Sequence, residues 1–424
     1  MMNVDKITFN NGLNLVLTEM PGRKSASVGV WFKTGGRYEN SSNKGIAHFL
    51  EHMIFKGSRK YSTDKIKRTI EGLGGNLNGF TSEELTCYLA KVPFKHAELT
   101  LEILSDISFN PKLEPKEIEK ERSVILEEIK MYKDHPAVYV NELLDKLMWP
   151  DNPLGDPIIG NEKTLLSLKR EDLLSFKNEF YNPLNTIISV SGALKSKDIF
   201  KRSKNIFSGL KPLKKSKFIP VKNECFSPRV NIFSKNTEQT HLAIGLYGLA
   251  RRHKDRYVLS VLNVILGGNM SSRLFDKVRE KKGLAYEIAS VAKYFQDTGM
   301  FEVHAGVKNE NMSECIKVVL NELARLKKEY VTKDELKRAK EFYSGQLELA
   351  LEDSLEYMLW SGEAIASEGK VDSIADILKS VSSVNEEDIK RVANFIFNIQ
   401  SLRIAVIGPQ NKESENKLLK NISL

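Results

Sequence analysis

The chain has 424 residues, 41% hydrophobic and 8% aromatic, which is typical of a folded globular protein and long for a single core. Its net charge of +9 comes from lysines spread along the chain without interleaved aromatic residues, which argues against nucleic-acid binding. No apolar run approaches the roughly 18–20 residues of a membrane span. Cys87, Cys225 and Cys315 are scattered without a C-x-x-C pair, which predicts reduced thiols and a cytoplasmic protein.

The N-terminal residues predict a pair of strands. Asn11 and Gly12 form an Asn-Gly dipeptide, which favours a tight turn, and alternating segments flank it on both sides. We therefore interpret this segment as part of the fold and not as a signal peptide.

Residues 45–58, GIAHFLEHMIFKGS, predict an amphipathic helix. Ser42 or Asn43 can cap its start, and Gly57 suits a left-handed residue past its end. The apolar residues recur at helical spacing and form one stripe: Ile46, Phe49, Leu50, Met53 and Ile54.

The opposite face of this helix carries His48, Glu51 and His52 within roughly 100° of arc. Histidines at i and i+4 project side by side, which is the geometry that one metal ion needs from two nitrogen ligands. A solvated polar face is the alternative interpretation. The pattern H-x-x-E-H therefore indicates a candidate metal site with its own base.

Residues 71–92 contain a Gly-rich turn followed by TSEELTCYLAKV, which predicts a strand. The turn GLGG does not predict a phosphate loop, because no GK[ST] follows it.

Residues 117–131, EIEKERSVILEEIKM, predict a second helix that can supply a third ligand. A hydrolytic zinc site needs three protein ligands and one open position. Glu121 and Glu128 are seven residues apart and share a face, but Glu127 is a rival to Glu128 that helical spacing does not exclude. The alternative interpretation is that these glutamates form an ordinary solvated surface and bind no metal.

The two halves of the chain resemble each other. A strand, a turn and an amphipathic helix occur near 82–107 and again near 299–326, and the second half has no counterpart of the two histidines. A Lys- and Pro-rich linker is predicted at 209–220. We predict an α+β fold of two duplicated domains, 1–210 with the metal site and 221–424 without one. Each has roughly 200 residues and a mainly antiparallel sheet packed with helices.

Residues 267–290, GGNMSSRLFDKVREKKGLAYEIAS, form a basic run with helical periodicity. The spacing of Leu274, Phe275 and Val278 predicts a packed helix and not a nucleic-acid site.

Three of these segments together resemble the pitrilysin/insulinase superfamily of zinc peptidases, whose H-x-x-E-H motif inverts the usual order. They are HFLEHMIFKG, ERSVILEEI and GG-x-x-SSRLF-x-x-VREK-x-GLAY. The likeness covers nearly the whole chain and is greatest to the branch of mitochondrial processing peptidase subunits and short bacterial peptidases. It implies the same α+β architecture.

The resemblance implies a ligand set for one zinc ion per chain: His48, His52 and Glu128, with Glu51 as general base. In this branch the third ligand lies about 76 residues after the second histidine, a spacing that selects Glu128 over Glu127. Glu121 matches a carboxylate that supports the site from outside the ligand set.

The family also implies a substrate-binding edge strand, which carries Asn-Ala-x-Thr where this chain has Asn78, Gly79, Phe80 and Thr81. Such a strand pairs with the backbone of an extended substrate, and glycine in place of alanine is expected to loosen it. Phe55 matches an aromatic residue of the pocket just beyond the cleaved bond, although a core phenylalanine is equally compatible with its position.

Arg279 and Tyr286 match a pair that reaches the active site from a C-terminal-type domain, where the phenol supports the developing oxyanion. Longer single-chain relatives hold this pair in their last domain. A homodimer would reproduce that layout by completing each site with the partner chain.

We therefore predict a zinc metalloendopeptidase that cuts extended peptides or unfolded segments inside a closed chamber, without nucleic-acid or membrane partners. The alternative is a non-catalytic assembly subunit, like the respiratory-complex core proteins of this fold. Those relatives lose ligands or the base, whereas this chain keeps His48, Glu51, His52 and Glu128.

Overall fold

The computed structural model describes residues 4–223 and 229–421. These residues divide into two compact units, each built from separate segments. Unit 1 comprises the residues up to Lys130, Asp156–Ile219 and Glu348–Val371. Unit 2 comprises Met131–Gly155, the described residues between Pro220 and Leu347, and those from Asp372 onward.

Each unit contains one β-sheet. The strands of unit 1 are β1 (Val4–Thr8), β2 (Asn14–Glu19), β3 (Ser25–Phe32), β4 (Asn76–Thr81), β5 (Thr86–Pro93) and β6 (Thr186–Gly192). Those of unit 2 are β7 (Arg229–Ser234), β8 (Gln239–Tyr247), β9 (Ala285–Tyr294), β10 (Gly299–Lys308) and β11 (Arg403–Gly408).

The helices follow in chain order. They are α1 (Ile46–Ile54), α2 (Thr63–Gly72), α3 (Ala97–Phe109), α4 (Pro115–Asp134), α5 (Pro136–Met148), α6 (Glu162–Ser167), α7 (Arg170–Phe180), α8 (Ser196–Phe207), α9 (Arg256–Leu266), α10 (Met312–Lys328), α11 (Lys333–Ala350), α12 (Ser354–Glu368), α13 (Ile374–Ser383), α14 (Glu386–Ile396) and α15 (Lys412–Asn421). A π-helical segment spans Phe275–Lys281. Its flanking Leu274 and its own Val278 are buried as the periodicity predicted, whereas Phe275 is only half-buried.

The two sheets share one topology, which confirms the predicted α+β fold. Among the described strands the order is β1-β2-β6-β3-β5-β4 in unit 1 and β7-β11-β8-β10-β9 in unit 2. The pairs β2–β6 and β7–β11 are parallel and the remaining pairs are antiparallel. Apart from β1, each strand of unit 1 thus has a counterpart in unit 2 at the same place and direction.

Strand β3 is buried along nearly its whole length because helices cover both faces of its sheet. On one face Trp31 shares a core cluster with Met358 of α12. On the other face Phe32 lies edge-to-face with Phe109 of α3, with ring centroids 5.6 Å apart. A central strand that helices cover on both faces typically has a nearly continuous run of apolar residues in its sequence.

Strand β8 has the same arrangement in unit 2. Helix α5 covers the face that carries Ala243 and Tyr247, and helices α9, α10 and α14 cover the face of Leu242 and Ile244. Gly245 allows the close approach of α5, since a Cβ there would lie 3.0 Å from Leu144 Cδ1.

The units differ in their composition from the contiguous segments 1–210 and 221–424 expected from sequence. Helix α5 comes from the first half of the chain but belongs to unit 2, and helix α12 comes from the second half but belongs to unit 1. The predicted linker is ordered over 209–219 as part of unit 1, where the Asn185 side chain donates to the carbonyl of Lys214.

Three smaller expectations concern the termini, the thiols and the membrane. The N-terminal strands pair antiparallel, with Val4 opposite Thr18. Cys87 and Cys315 are buried free thiols, and Cys225 lies outside the described residues. Within residues 4–223 and 229–421, no helix is both long and apolar enough to cross a membrane.

Candidate metal centre

Helix α1 is amphipathic, as the spacing of its apolar residues predicted. All five residues of its apolar stripe are almost completely buried, and the opposite face presents His48, Glu51 and His52 together. The imidazole centroids of His48 and His52 lie 4.7 Å apart. Gly57 has φ +106°, as expected for a glycine just past the helix end.

The predicted cap at the start of α1 is wrong. Asn43 Oδ1 accepts a hydrogen bond from the Asn40 amide, and Ser42 Oγ donates to Asn40 Oδ1, so neither side chain serves the helix. The Glu39 carboxylate takes their place and accepts from the amides of Gly45 and Ala47 at 2.7 and 2.9 Å. Burial raises the pKa of Glu39 to about 8, and these two amides oppose that shift.

Helix α4 supplies the third candidate ligand. Glu128 Oε2 lies 3.5 Å from His52 Nε2 and 4.0 Å from His48 Nε2. One potential ligand atom from each of the three residues lies within 4.8 Å of the other two. Glu127 is not part of this group: its side chain is 72% exposed and pairs with Lys130 at 2.8 Å. The geometry therefore favours Glu128 over Glu127.

The chemistry of this donor set fits a zinc ion. Two imidazole nitrogens and one carboxylate oxygen are the donors of a common catalytic zinc site. Metal binding needs the neutral imidazole. Burial, and to a smaller extent the charge of the nearby His52, lowers the pKa of His48 to about 3. His48 is thus held in the form that can bind a metal at neutral pH.

Glu121 lies beside Nδ1 of His52, whereas Glu128 lies beside Nε2 of the same ring. Glu121 Oε2 lies 3.1 Å from His52 Nδ1, and its Oε1 lies 2.6 Å from the ammonium of Lys56. A proton on Nδ1 donated to Glu121 leaves Nε2 of His52 free for a metal. Sequence reasoning identified Glu121 but missed Lys56, which lies two residues past the end of α1.

Glu51 stands beside the three ligands and is held by a neighbouring strand. Its Oε2 accepts a hydrogen bond of 2.6 Å from the hydroxyl of Thr81. Burial raises the pKa of Glu51, and the hydrogen bond from Thr81 opposes the shift. A carboxylate with a raised pKa beside a metal site is suited to accepting a proton.

Thr81 belongs to strand β4, which lies at the edge of its sheet and pairs with β5 through one side. Alternate residues of β4 are exposed, including Asn78 and Phe80. Phe80 meets Trp31 edge-to-face at 5.7 Å, and Asn78 Oδ1 accepts from the Gly79 amide. Among the described residues, the outer side of β4 has no strand partner.

Gly79 has a steric reason for lacking a side chain. A Cβ at this position would lie 3.0 Å from the Phe55 ring and 3.1 Å from the Tyr88 ring. Phe55 and Tyr88 themselves meet edge-to-face at 5.8 Å. The glycine that was expected to loosen β4 thus lets Phe55 pack directly on the strand.

Arg279 and Tyr286 lie together in unit 2. The Arg279 guanidinium lies 4.9 Å from the centroid of the Tyr286 ring and 4.7 Å from that of Phe275. The Tyr286 side chain is 76% exposed, so its phenol is available to a substrate or a partner.

Comparison with known proteins places these observations in context. Residues 14–162 match the family model described as insulinase, peptidase family M16, and residues 167–343 match the peptidase M16 inactive domain. An uncharacterized zinc protease of Bacillus subtilis is 36% identical over 406 residues, which is 96% of this chain and 98% of that protein.

Two solved structures share the fold. The crystal structure of a protease from Helicobacter pylori has a TM-score of 0.90 at 25% identity, covering 96% of this chain and all of that one. A peptidase M16 inactive domain from Pseudomonas fluorescens has a TM-score of 0.89 at 20% identity, covering 96% and 98% of the two chains.

Proposed function

Because this chain belongs to the insulinase, or M16, family of peptidases, we propose that it is a zinc-dependent endopeptidase that cuts extended peptides. One observation carries the proposal: His48, His52 and Glu128 converge beside a carboxylate, Glu51, that is not needed as a ligand. Relatives named zinc proteases support the metal, and the donor set supports zinc chemically.

In this proposal His48, His52 and Glu128 hold one zinc ion per chain. When bound, zinc supplies Lewis acidity, which makes a water molecule acidic near neutral pH and polarises a peptide carbonyl. Glu121 fixes the ring of His52 through Nδ1, and the ion pair with Lys56 holds the Glu121 carboxylate in this position.

Glu51 acts as the general base. The Thr81 hydroxyl occupies Oε2 of Glu51, which leaves Oε1 to take the proton of the attacking water and later deliver it to the leaving amine. Because Thr81 lies on β4, the same strand that would hold the substrate also orients the base.

Strand β4 binds the substrate by strand addition. Its free edge offers amides and carbonyls to an extended backbone, and this pairing provides affinity without strict sequence choice. Phe55, packed on Gly79, lies where it can contact a substrate side chain close to the cleaved bond. The residues that contact substrate are thus Phe55, Asn78, Gly79, Phe80 and Thr81.

Substrate size tests this mode of binding. Edge-strand pairing requires an extended chain, and a closed chamber around the site would exclude folded domains. We expect the purified protein to cut unstructured peptides and a destabilised variant of a small domain. The same domain in its stable folded form should be spared, as followed by mass spectrometry. Efficient cleavage of the stable form would contradict both the strand-pairing mode and the chamber.

The catalytic machinery is completed by Arg279 and Tyr286 of a second copy in a homodimer. The exposed phenol of Tyr286, stacked under the Arg279 guanidinium, suits stabilisation of a developing oxyanion. Two-fold pairing of identical chains is the commonest assembly and would give two equivalent sites.

Subunit mixing tests completion by the partner. The variants Glu51→Gln and Arg279→Ala should each be nearly inactive, and a mixed dimer should regain activity because one of its two sites keeps both residues intact. The measurement is peptide hydrolysis after exchange of differently tagged chains.

Two controls make the mixing experiment decisive. Each variant is also mixed with itself, and isolation through both tags shows that exchange took place. If exchange is verified and activity does not return, each site is completed within one chain and the dimer model is wrong.

A further inference from the structure

The start of helix α1 is held by a residue outside the candidate ligand set. The Glu39 side chain is only 4% exposed, and its two oxygens accept from different amides. Oε2 accepts from Gly45 at 2.7 Å, and Oε1 accepts from Ala47 at 2.9 Å. Ala47 directly precedes His48, so one of these bonds fixes the peptide next to a candidate ligand.

Glu39 suits this place because its side chain brings two acceptor oxygens. The first amides of a helix have no partner within the helix, and both amides that Glu39 serves are in buried residues. Glu39 supplies acceptors to both amides from a position six residues before Gly45.

The segment that enters α1 is closely packed from the other side. Gly45 has φ +89°, and a Cβ there would lie 2.6 Å from the carbonyl oxygen of Ile159. Gly160 faces it, with a hypothetical Cβ 2.5 Å from the carbonyl oxygen of Lys44. The Thr164 hydroxyl donates to the same Lys44 oxygen at 2.8 Å.

The first turn of α1 therefore depends on Glu39 on one side and on the 159–164 segment on the other. Loss of the carboxylate would leave buried amides without acceptors, and the turn would have to shift or open to water. Such a shift moves His48, whose Nε2 lies 4.0 Å from Glu128 Oε2.

We infer that Glu39 is a positioning residue for the metal centre, which orients His48 through the first turn of α1 and thereby strengthens zinc binding. The inference rests on the proposed zinc site. It assigns to Glu39 no contact with metal or substrate.

Zinc affinity tests the inference directly. Glu39→Ala removes both acceptors and should weaken zinc binding about 10-fold or more, the usual effect of losing a group that orients a ligand. Glu39→Gln keeps the size and one acceptor oxygen, so it should fall between the wild type and Glu39→Ala. The measurement is competition for zinc with a chromophoric chelator.

A matched control separates positioning from general loss of stability. Glu302 is a buried glutamate of unit 2, 2.9 Å from the Lys293 ammonium. Glu302→Ala should lower the melting temperature of the metal-free protein and leave zinc affinity unchanged. Hydrogen exchange adds a second readout, because the amides of Gly45 and Ala47 should exchange faster in the Glu39 variants without zinc.

The outcomes are distinguishable. If the wild type binds no zinc, the proposed function fails. If the wild type binds zinc and Glu39→Gln binds it equally well, the role of Glu39 is wrong although the zinc site stands. Equal losses of affinity in the Glu39 and Glu302 variants would also overturn it. Should Glu39→Ala not fold, Glu39→Gln and its amide exchange decide the question.

Discussion

Replacing Glu51 by glutamine should abolish peptide hydrolysis while leaving zinc in place. The amide cannot accept the proton of the attacking water, and general base catalysis typically contributes roughly 10²–10⁴-fold to the rate. Thr81 can still donate to the amide oxygen, so the side chain should stay in position. The measurements are the initial rate on an unstructured peptide and the zinc content by elemental analysis.

The melting temperature of Glu51→Gln should stay near that of the wild type, which serves as the control for folding. A folded variant without zinc would show that Glu51 is a ligand. A folded variant with full activity would show that it is not the base.

Removal of Glu128 should have the second large effect. Glu128→Gln replaces a charged oxygen donor and should weaken zinc binding by more than the roughly 10–100-fold that loss of an outer partner costs. Hydrolysis at limiting zinc should fall with it. The measurements are zinc competition with a chelator and peptide hydrolysis across a range of zinc concentrations.

The chain provides a matched control in the neighbouring residue. Glu127 is exposed and pairs with Lys130 at 2.8 Å, and an exposed ion pair of this kind adds little to stability. Glu127→Gln should therefore leave zinc affinity, activity and stability almost unchanged. If Glu127→Gln lost zinc and Glu128→Gln kept it, the third ligand would be misassigned.

The face of α1 could be predicted from sequence because it depends on local periodicity alone. Five apolar residues at helical spacing fixed which side is buried, and so placed His48, Glu51 and His52 on the other side. The choice between Glu127 and Glu128 was different. Adjacent residues on a helix differ by about 100°, so helical periodicity alone leaves the choice open. The family spacing favoured Glu128, and the packing of α4 shows which one faces α1.

The features that sequence reasoning missed depend on contacts between distant segments. The cap of α1 comes from Glu39, beyond the Ser and Asn residues that the usual capping rules consider. The reason for Gly79 is the Phe55 ring, which lies on another element. Helices α5 and α12 each belong to the unit that the other half of the chain mainly builds, and a local sequence pattern does not reveal which sheet a helix will cover.

We propose that the chain hydrolyses peptides with a metal held by His48, His52 and Glu128. The most direct test is digestion of a peptide library by the purified protein, before and after removal of metal with a chelator and after zinc is restored. We predict cleavage that chelation abolishes and about one equivalent of zinc per chain restores. A protein that binds zinc but cuts no peptide would contradict peptide hydrolysis and favour the non-catalytic subunit. Cleavage that persists without metal would contradict the metal mechanism.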